Sequence, residues 1–160
     1  MIQGLTIDGL LYVLGHLRSP DEAEVRATID QGDIETTGHL IWMIPGPKWE
    51  ALAPDGEPAV IGGFTPIWPG LGSGWMWGTD RWEDVILEVT RAMKRHILPS
   101  LDRRGVHRIE CRPMADNAAA IRWLELMGFR QEAVTAQFGR GCQDFVLCAR
   151  TTRHDASRMH

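Results

Sequence analysis

Only three cysteines, Cys111, Cys142 and Cys148, occur in the 160 residues. Their odd number excludes a fully paired disulfide framework. No two stand at the close spacing of a zinc clip, so no metal site is expected. Reduced, partly buried thiols in a cytoplasmic protein are the expectation. Long apolar runs are also scarce. In the opening stretch MIQGLTIDGLLYVLGHLRSPDE no basic segment precedes the apolar run, and Gly15, His16 and Arg18 break it. It reads as neither a secretory signal nor a membrane span. An excess of positive charge is missing too. Lys and Arg number 17 against 21 Asp and Glu, a formal net charge of −4, so no global field draws the chain to nucleic acid or to an anionic membrane. A local basic cluster between Arg91 and Arg112 has no aromatic interleaving, and nucleic acid is not an expected partner.

What is present is the make-up of a globular domain: 44% hydrophobic and 24% charged residues, enough at this length to bury about 70% of the unfolded surface. One domain over residues 1–152 and a frayed tail over 153–160 are expected. There is no internal repeat and no low-complexity tract. Residues 2 to 7 read as a short strand, and Asp8 as the cap of a helix carrying Leu10, Leu11, Val13, Leu14 and Leu17. Ser19, Pro20 and Glu22 have the spacing of a capping box for a second helix, which Gly32 ends. From His39 to Trp77 the runs HLIWMI, KWEALA, AVIGGFTPI and GWMWG, punctuated by PGP, APDGEP and WPGLGSG, predict an antiparallel meander.

From Glu83 the period changes to about 3.6, with Val85, Ile86, Val89, Ala92, Met93 and Ile97 on one stripe. Pro99 is expected to stop this helix. Residues 106 to 112 alternate as a strand, with His107, Ile109 and Cys111 facing the core. Asp116 or Asn117 then caps AAAIRWLELM, which Gly128 closes in the left-handed conformation that glycine adopts freely. The segment EAVTAQFGRGCQDFVLCARTT reads as a hairpin turning at Gly139 and Gly141. The order of elements predicts an α+β fold, a mixed sheet covered by helices.

The turn TDRWEDV, Thr79 to Val85, leads from a strand into the long helix, a common place for proteins to bind phosphate. Two readings stay open. Asp80 and Glu83 are placed to cap the helix with their own carboxylates, and Asp84 adds a third negative charge that repels an anion. Against that, Gly78 and Thr79 supply a flexible turn and a hydroxyl, Arg81 can reach a phosphate, and Trp82 can stack on a base.

The order of elements, together with NAAAIRWLELMGF, resembles the GNAT superfamily of acyl-CoA-dependent N-acyltransferases. Asn117, Ala120, Ile121, Met127, Gly128 and Phe129 occupy the places of that family's last-helix pattern. WMWGTD and Trp123-Leu124 are more similar to a tailed-phage branch of GNAT-like proteins, some encoded among virion genes. The resemblance implies a mainly antiparallel sheet with helices on both faces and a cleft where strands four and five splay apart. It further implies acetyl-CoA as cofactor, with its arm between those strands, and a primary amine as acceptor, on a small molecule, a protein N-terminus or a lysine. The alternative it leaves is an inactive GNAT scaffold with protein partners in a phage particle. Location follows the reading, cytoplasmic or packaged in a virion.

By the same resemblance, Trp77, Gly78, Thr79, Arg81, Trp82 and Asn117 would hold the cofactor, between walls of Trp75, Met76, Trp77, Glu110, Arg112 and Met114. Family members often carry a carboxylate on strand four and a tyrosine on the last helix. Here strand four has Trp and Met, the tyrosine's place is Leu124, and the one tyrosine, Tyr12, lies in the first helix. The catalytic candidates are then Glu110, whose pKa burial can raise, and Asn117, which can position water or the cofactor arm. Each has a plain structural alternative, an ion pair with Arg108 or Arg112 for Glu110 and a helix cap for Asn117. Trp68, on a Gly/Pro-rich loop, reads either as a partner's anchor or as packing.

Overall fold

The computed structural model describes residues 1–29 and 33–152. Among these, seven strands form one sheet in the order β1-β2-β3-β4-β5-β7-β6. They are β1 (Ile2–Gly4), β2 (Lys48–Leu52), β3 (Pro58–Trp68), β4 (Leu71–Gly78), β5 (Arg108–Cys111), β6 (Arg130–Thr135) and β7 (Phe145–Thr151). Neighbours are antiparallel except β4 and β5, which run parallel. The expected meander is present as β2, β3 and β4, turning at the Pro/Gly clusters that the sequence marks.

Successive residues of a strand face opposite sides of a sheet, and Val60 and Ile61 of β3 show what each side packs. Ile61 sits with Leu10, Val13, Leu14, Val25 and Ile41 of the helices α1 (Ile7–Gly15), α2 (Ser19–Thr28) and α3 (Ile34–Met43). Val60 sits with Val85 and Val89 of α4 (Trp82–Ala92). On that second side α5 (Leu98–Arg103) and α6 (Ala118–Leu126) cover β5 and β7 through Leu98, Leu101, Ile121 and Leu124. This is the expected α+β fold with helices on both faces of the sheet.

Several local expectations are corrected. HLIWMI is helical and belongs to α3. Asp33 caps that helix by accepting from the Glu35 amide, and Gly38 lets α3 lie directly against Leu11 of α1. A short apolar run has no period to tell strand from buried helix, and here the helix–helix contact decides. Thr6, not Asp8, caps α1, its hydroxyl accepting from Gly9 N at 3.0 Å. α2 begins one residue early, with the Arg18 carbonyl taking the Asp21 and Glu22 amides, so Ser19 forms no capping box. Gly32 lies outside the described residues, as does the expected frayed tail; α2 ends at Thr28.

Pro99 does not stop the long helix. α4 passes through a π-turn at Met93–Ile97 directly into α5, with Leu98 N donating to Met93 O. Proline removes one amide and crowds the carbonyl four residues back. The wider π-turn just ahead of it absorbs both effects. β5 is shorter than expected. Val106 and Ile109 are both buried while His107 is exposed, so alternation starts only at Arg108. The last motif is as expected: Asn117 Oδ1 accepts from Ala120 N at 3.2 Å. Gly128 has φ +88°, and Phe129 N returns to Leu124 O at 3.0 Å.

Candidate active site

β4 and β5 are paired only from Leu71–Ser73 to Arg108–Glu110. β4 then continues to Gly78, whereas the chain leaving β5 follows β7, with Val146 N donating to Pro113 O and Ala115 N to Asp144 O, both at 2.9 Å. The two strands therefore part company over the second half of β4. The gap opens into a cleft of about 470 Å³, lined by Trp75, Met76 and Trp77 on one side and by Arg112, Asn117 and Trp123 on the other. Glu110 and Met114, two expected wall residues, are not among its lining.

The backbone edge that β4 turns to this gap is defined by its end. Thr79 N donates to Ala59 O of the β3 side at 2.9 Å, while the Gly78 carbonyl accepts from Arg18 N at 2.9 Å and the Gly78 amide donates to Asp21 Oδ2 at 2.7 Å. Alternate residues of a strand direct their amides and carbonyls to the same edge. Met76 accordingly faces the gap with both groups, where no strand lies beside it.

The Thr79–Val85 turn starts a helix by means other than those expected. Thr79 Oγ1 accepts from Arg81 N at 3.1 Å, and Thr79 O accepts from Trp82 N at 3.0 Å. Thr79 thus closes the turn, and Asp80 does not cap it. The Arg81 guanidinium is held by Asp55 at 2.7 Å, Glu57 at 3.1 Å and Asp84 at 2.6 Å. Trp82 lies under the Arg18 guanidinium, 3.8 Å from the ring centroid. Of the six residues expected to hold a cofactor, Trp77, Trp82 and Asn117 line the cleft, whereas Gly78, Thr79 and Arg81 spend their polar groups within the protein.

Glu110 makes the ion pairs of its structural alternative, with Arg108 Nε at 2.7 Å and Arg112 Nη2 at 3.2 Å. Arg108 also binds Glu132 at 2.6 Å. His107 is exposed, and its backbone amide donates to Gly70 O at 2.8 Å. Trp68 is exposed at the β3–β4 tip, outside the cleft lining. The thiols are free: Cys148 is buried, Cys142 exposed, and Cys111 lies in the cleft with its pKa pushed by burial up to about 12. Among the described residues no group of three or more His, Cys, Asp or Glu could hold a metal, and no helix is long and apolar enough to cross a membrane.

Sequence reasoning missed Glu24. This residue of α2 lines the cleft on the Trp77 side. Burial, then the neighbouring negative charge of Asp21, raises its pKa from 4.5 to about 7 against the weaker pull of the Trp77 indole, the Met114 amide and Arg18. Trp77 Nε1 is buried and approaches the carboxyl without the geometry of a full hydrogen bond. Asp21, the other carboxylate lining the cleft among the described residues, is bound by Arg18 Nε at 2.8 Å and by the Gly78 amide. The signal in the sequence was Arg18, Asp21 and Glu24 three apart, running from the cap of α2 into its second turn, a spacing that also reads as ordinary charge pairing along a helix.

A raised carboxylate pKa has a definite sign in stability. Below about pH 4.5 Glu24 is neutral whether folded or unfolded; between 4.5 and about 7 the unfolded chain ionises it first, so folding weakens as pH rises. Relative to Glu24→Gln, the wild type should lose roughly 2–3 kcal/mol between pH 4.5 and pH 8. Denaturant melts of both proteins across that range check this. Parallel pH curves would show that Glu24 has an ordinary pKa.

No family model matches the sequence, and no curated protein matches it. Solved structures do. A ribosomal-protein-alanine N-acetyltransferase from Brucella melitensis is 15% identical with a TM-score of 0.72, over 95% of this chain and 99% of that one. A GCN5-related N-acetyltransferase from Kribbella flavida is 16% identical with a TM-score of 0.70, over 95% and 97%. A spermidine N-acetyltransferase variant from Vibrio cholerae is 11% identical with a TM-score of 0.71, over 94% of each chain. At these identities the likeness is one of fold. The chain has the GNAT fold, with β4 and β5 in the place of the splayed pair.

Proposed function

We propose that the protein transfers an acetyl group from a pantetheine thioester, acetyl-CoA in the ordinary case, to a primary amine. The observation that carries this reading is the gap beside β4, mostly apolar in its walls and edged by the Met76 backbone. The polar groups of an extended amide-containing arm can pair with such an edge as an added strand does. The thioester supplies an activated acyl carbon and a thiol leaving group. The Met76 amide is placed to donate to the acyl oxygen as negative charge develops there. Asn117, at the amino end of α6, holds the arm or a water, and Trp75, Trp77 and Trp123 keep bulk water from the reacting atoms. Arg112 lines the same cleft, and its Nε is buried without a hydrogen-bond partner.

The arm of such a cofactor can lie along the gap, but the diphosphate meets a helix start whose amides are largely bonded already. The groups of Gly78, Thr79 and Arg81 are already bonded internally, and Asp80, Glu83 and Asp84 crowd the helix start. A diphosphate therefore gains little there. Isothermal titration should show one saturable site for acetyl-CoA below 1 mM, with acetyl-pantetheine binding within about tenfold. The absence of binding by either ligand at millimolar concentration would remove the enzyme reading.

The acceptor class follows from the amines named for the neighbours, a ribosomal-protein alanine and spermidine. It takes in a protein N-terminus, a lysine or a small amine. An inactive scaffold in a phage particle is the second reading; the closed turn before α4, the strand-four place without a carboxylate and Leu124 in the tyrosine's place stand on its side. None of the three neighbours named above is a virion protein. Co-purification with particles at fixed stoichiometry, without thiol release from acetyl-CoA, would favour it.

A further inference from the structure

We propose that Glu24, projecting from α2 into the mouth of the gap, is the general base that takes the proton from the acceptor amine. The inference rests on the acyl-transfer reading, and three features of the site single the residue out. The first is its position. Trp77 of β4 packs with Leu10, Val25 and Ile41 on the side of the sheet covered by α1, α2 and α3, and Glu24 lines the cleft beside it. The Asn117 end of α6 borders the same cleft from the opposite side of the sheet. An arm entering from the Asn117 side would bring its acyl carbon to the Met76 edge, with Glu24 beyond it.

The second feature is the elimination of rivals by their own bonds. Asp21 is fixed by Arg18 and the Gly78 amide. Glu110 is held between Arg108 and Arg112 and lies outside the lining. Among the described residues, Asp21 and Glu24 are the carboxylates that line the cleft, and of these Glu24 carries no ion pair. The third feature is the surroundings of its charge. Asp21 and Arg18 stand on its own side, the Trp77 indole and the Met114 amide face it, and Cys111 and Arg112 close the far side of the cleft. Burial and Asp21 bring the pKa of the carboxyl up to about 7, close to physiological pH, where a general base is most effective. Trp77, whose indole N–H favours the ionised carboxyl, is a positioning residue.

The acceptor ammonium gives one proton to the Glu24 carboxylate. The freed nitrogen lone pair forms the bond to the acyl carbon, and the carbon–sulfur bond breaks with its electrons on sulfur. The departing thiolate takes the second amine proton, and Glu24 later releases its proton to solvent.

The test follows thiol release from acetyl-CoA with benzylamine and with a glycyl peptide as acceptors, from pH 5.5 to 9. Wild type should show a rising limb in kcat with an apparent pKa near 7. Glu24→Gln should lower kcat at least 100-fold, abolish that limb, and leave acetyl-CoA affinity within threefold. Trp77→Phe should keep the limb but move it to higher pH, an effect that loss of packing alone would not produce. A Glu24→Gln protein that turns over within fivefold of wild type, or a limb unmoved in Trp77→Phe, overturns the assignment of Glu24 and leaves acyl transfer standing. No thiol release by wild type with either amine sinks the acyl-transfer reading and this inference with it.

Discussion

Ala119→Trp is expected to weaken acetyl-CoA binding at least 100-fold while shifting the melting temperature by no more than about 2 °C. Ala119 is an exposed residue in the first turn of α6 and lines the cleft next to Asn117. An indole there would extend into the space between α6 and Met76, where the arm is proposed to lie. The substitution removes no core contact, and its helix-propensity cost is about 0.5 kcal/mol, worth roughly 2 °C for a domain of this size. Titration with acetyl-CoA beside a thermal melt separates the two effects. Undiminished affinity in a normally folded variant would mean that the donor binds elsewhere.

Gly9→Ala should destabilise the fold by about 3–5 kcal/mol, the range for disturbing a buried charge. A Cβ at Gly9 would stand 1.6 Å from Glu50 Oε2. Glu50, on β2, is only 1% exposed, and it accepts from Gln3 Nε2 at 2.7 Å and from Thr6 Oγ1 at 3.1 Å. Thr6 in turn caps α1 at Gly9 N, so the carboxylate sits against the positive end of that helix. Displacing it breaks the bonds joining β1, β2 and the start of α1 together. α1 carries Leu10, Val13 and Leu14 beneath Trp77, and cleft geometry should loosen with it. Denaturant unfolding of Gly9→Ala gives the number. A loss below 1 kcal/mol would show that the carboxylate has room to move.

The meander, the stripe of the long helix and the α6 motif were legible because each follows a rule of a few neighbouring residues: turn chemistry, a 3.6 period, a cap and a left-handed glycine. What stayed hidden depends on partners distant in sequence. HLIWMI carries no period, and only the approach of Gly38 to Leu11 makes it a helix. Pro99 is a stop signal that the π-turn at Met93–Ile97 cancels. The turn before α4 showed its wealth of carboxylates but not that Thr79 would close it, nor that Asp55 and Glu57 from the β2–β3 turn would claim Arg81. The site divides in the same way. The splayed strands follow from the resemblance in order of elements, and Trp77 and Asn117 are among the residues that line the cleft. Glu24 was invisible because a carboxylate early in a helix reads as ordinary. Its environment is made by Trp77 and Asp21, and by a backbone amide 90 positions away at Met114.

Backbone amide NMR with added acetyl-pantetheine addresses the gap itself. A ligand arm lying along β4 predicts a saturable downfield shift of the Met76 amide, accompanied by shifts at Gly74 and at the Asn117 end of α6, all following one affinity. Saturable binding that leaves Met76 unmoved and perturbs only the exposed outer faces of the helices would contradict an arm lodged between β4 and β5.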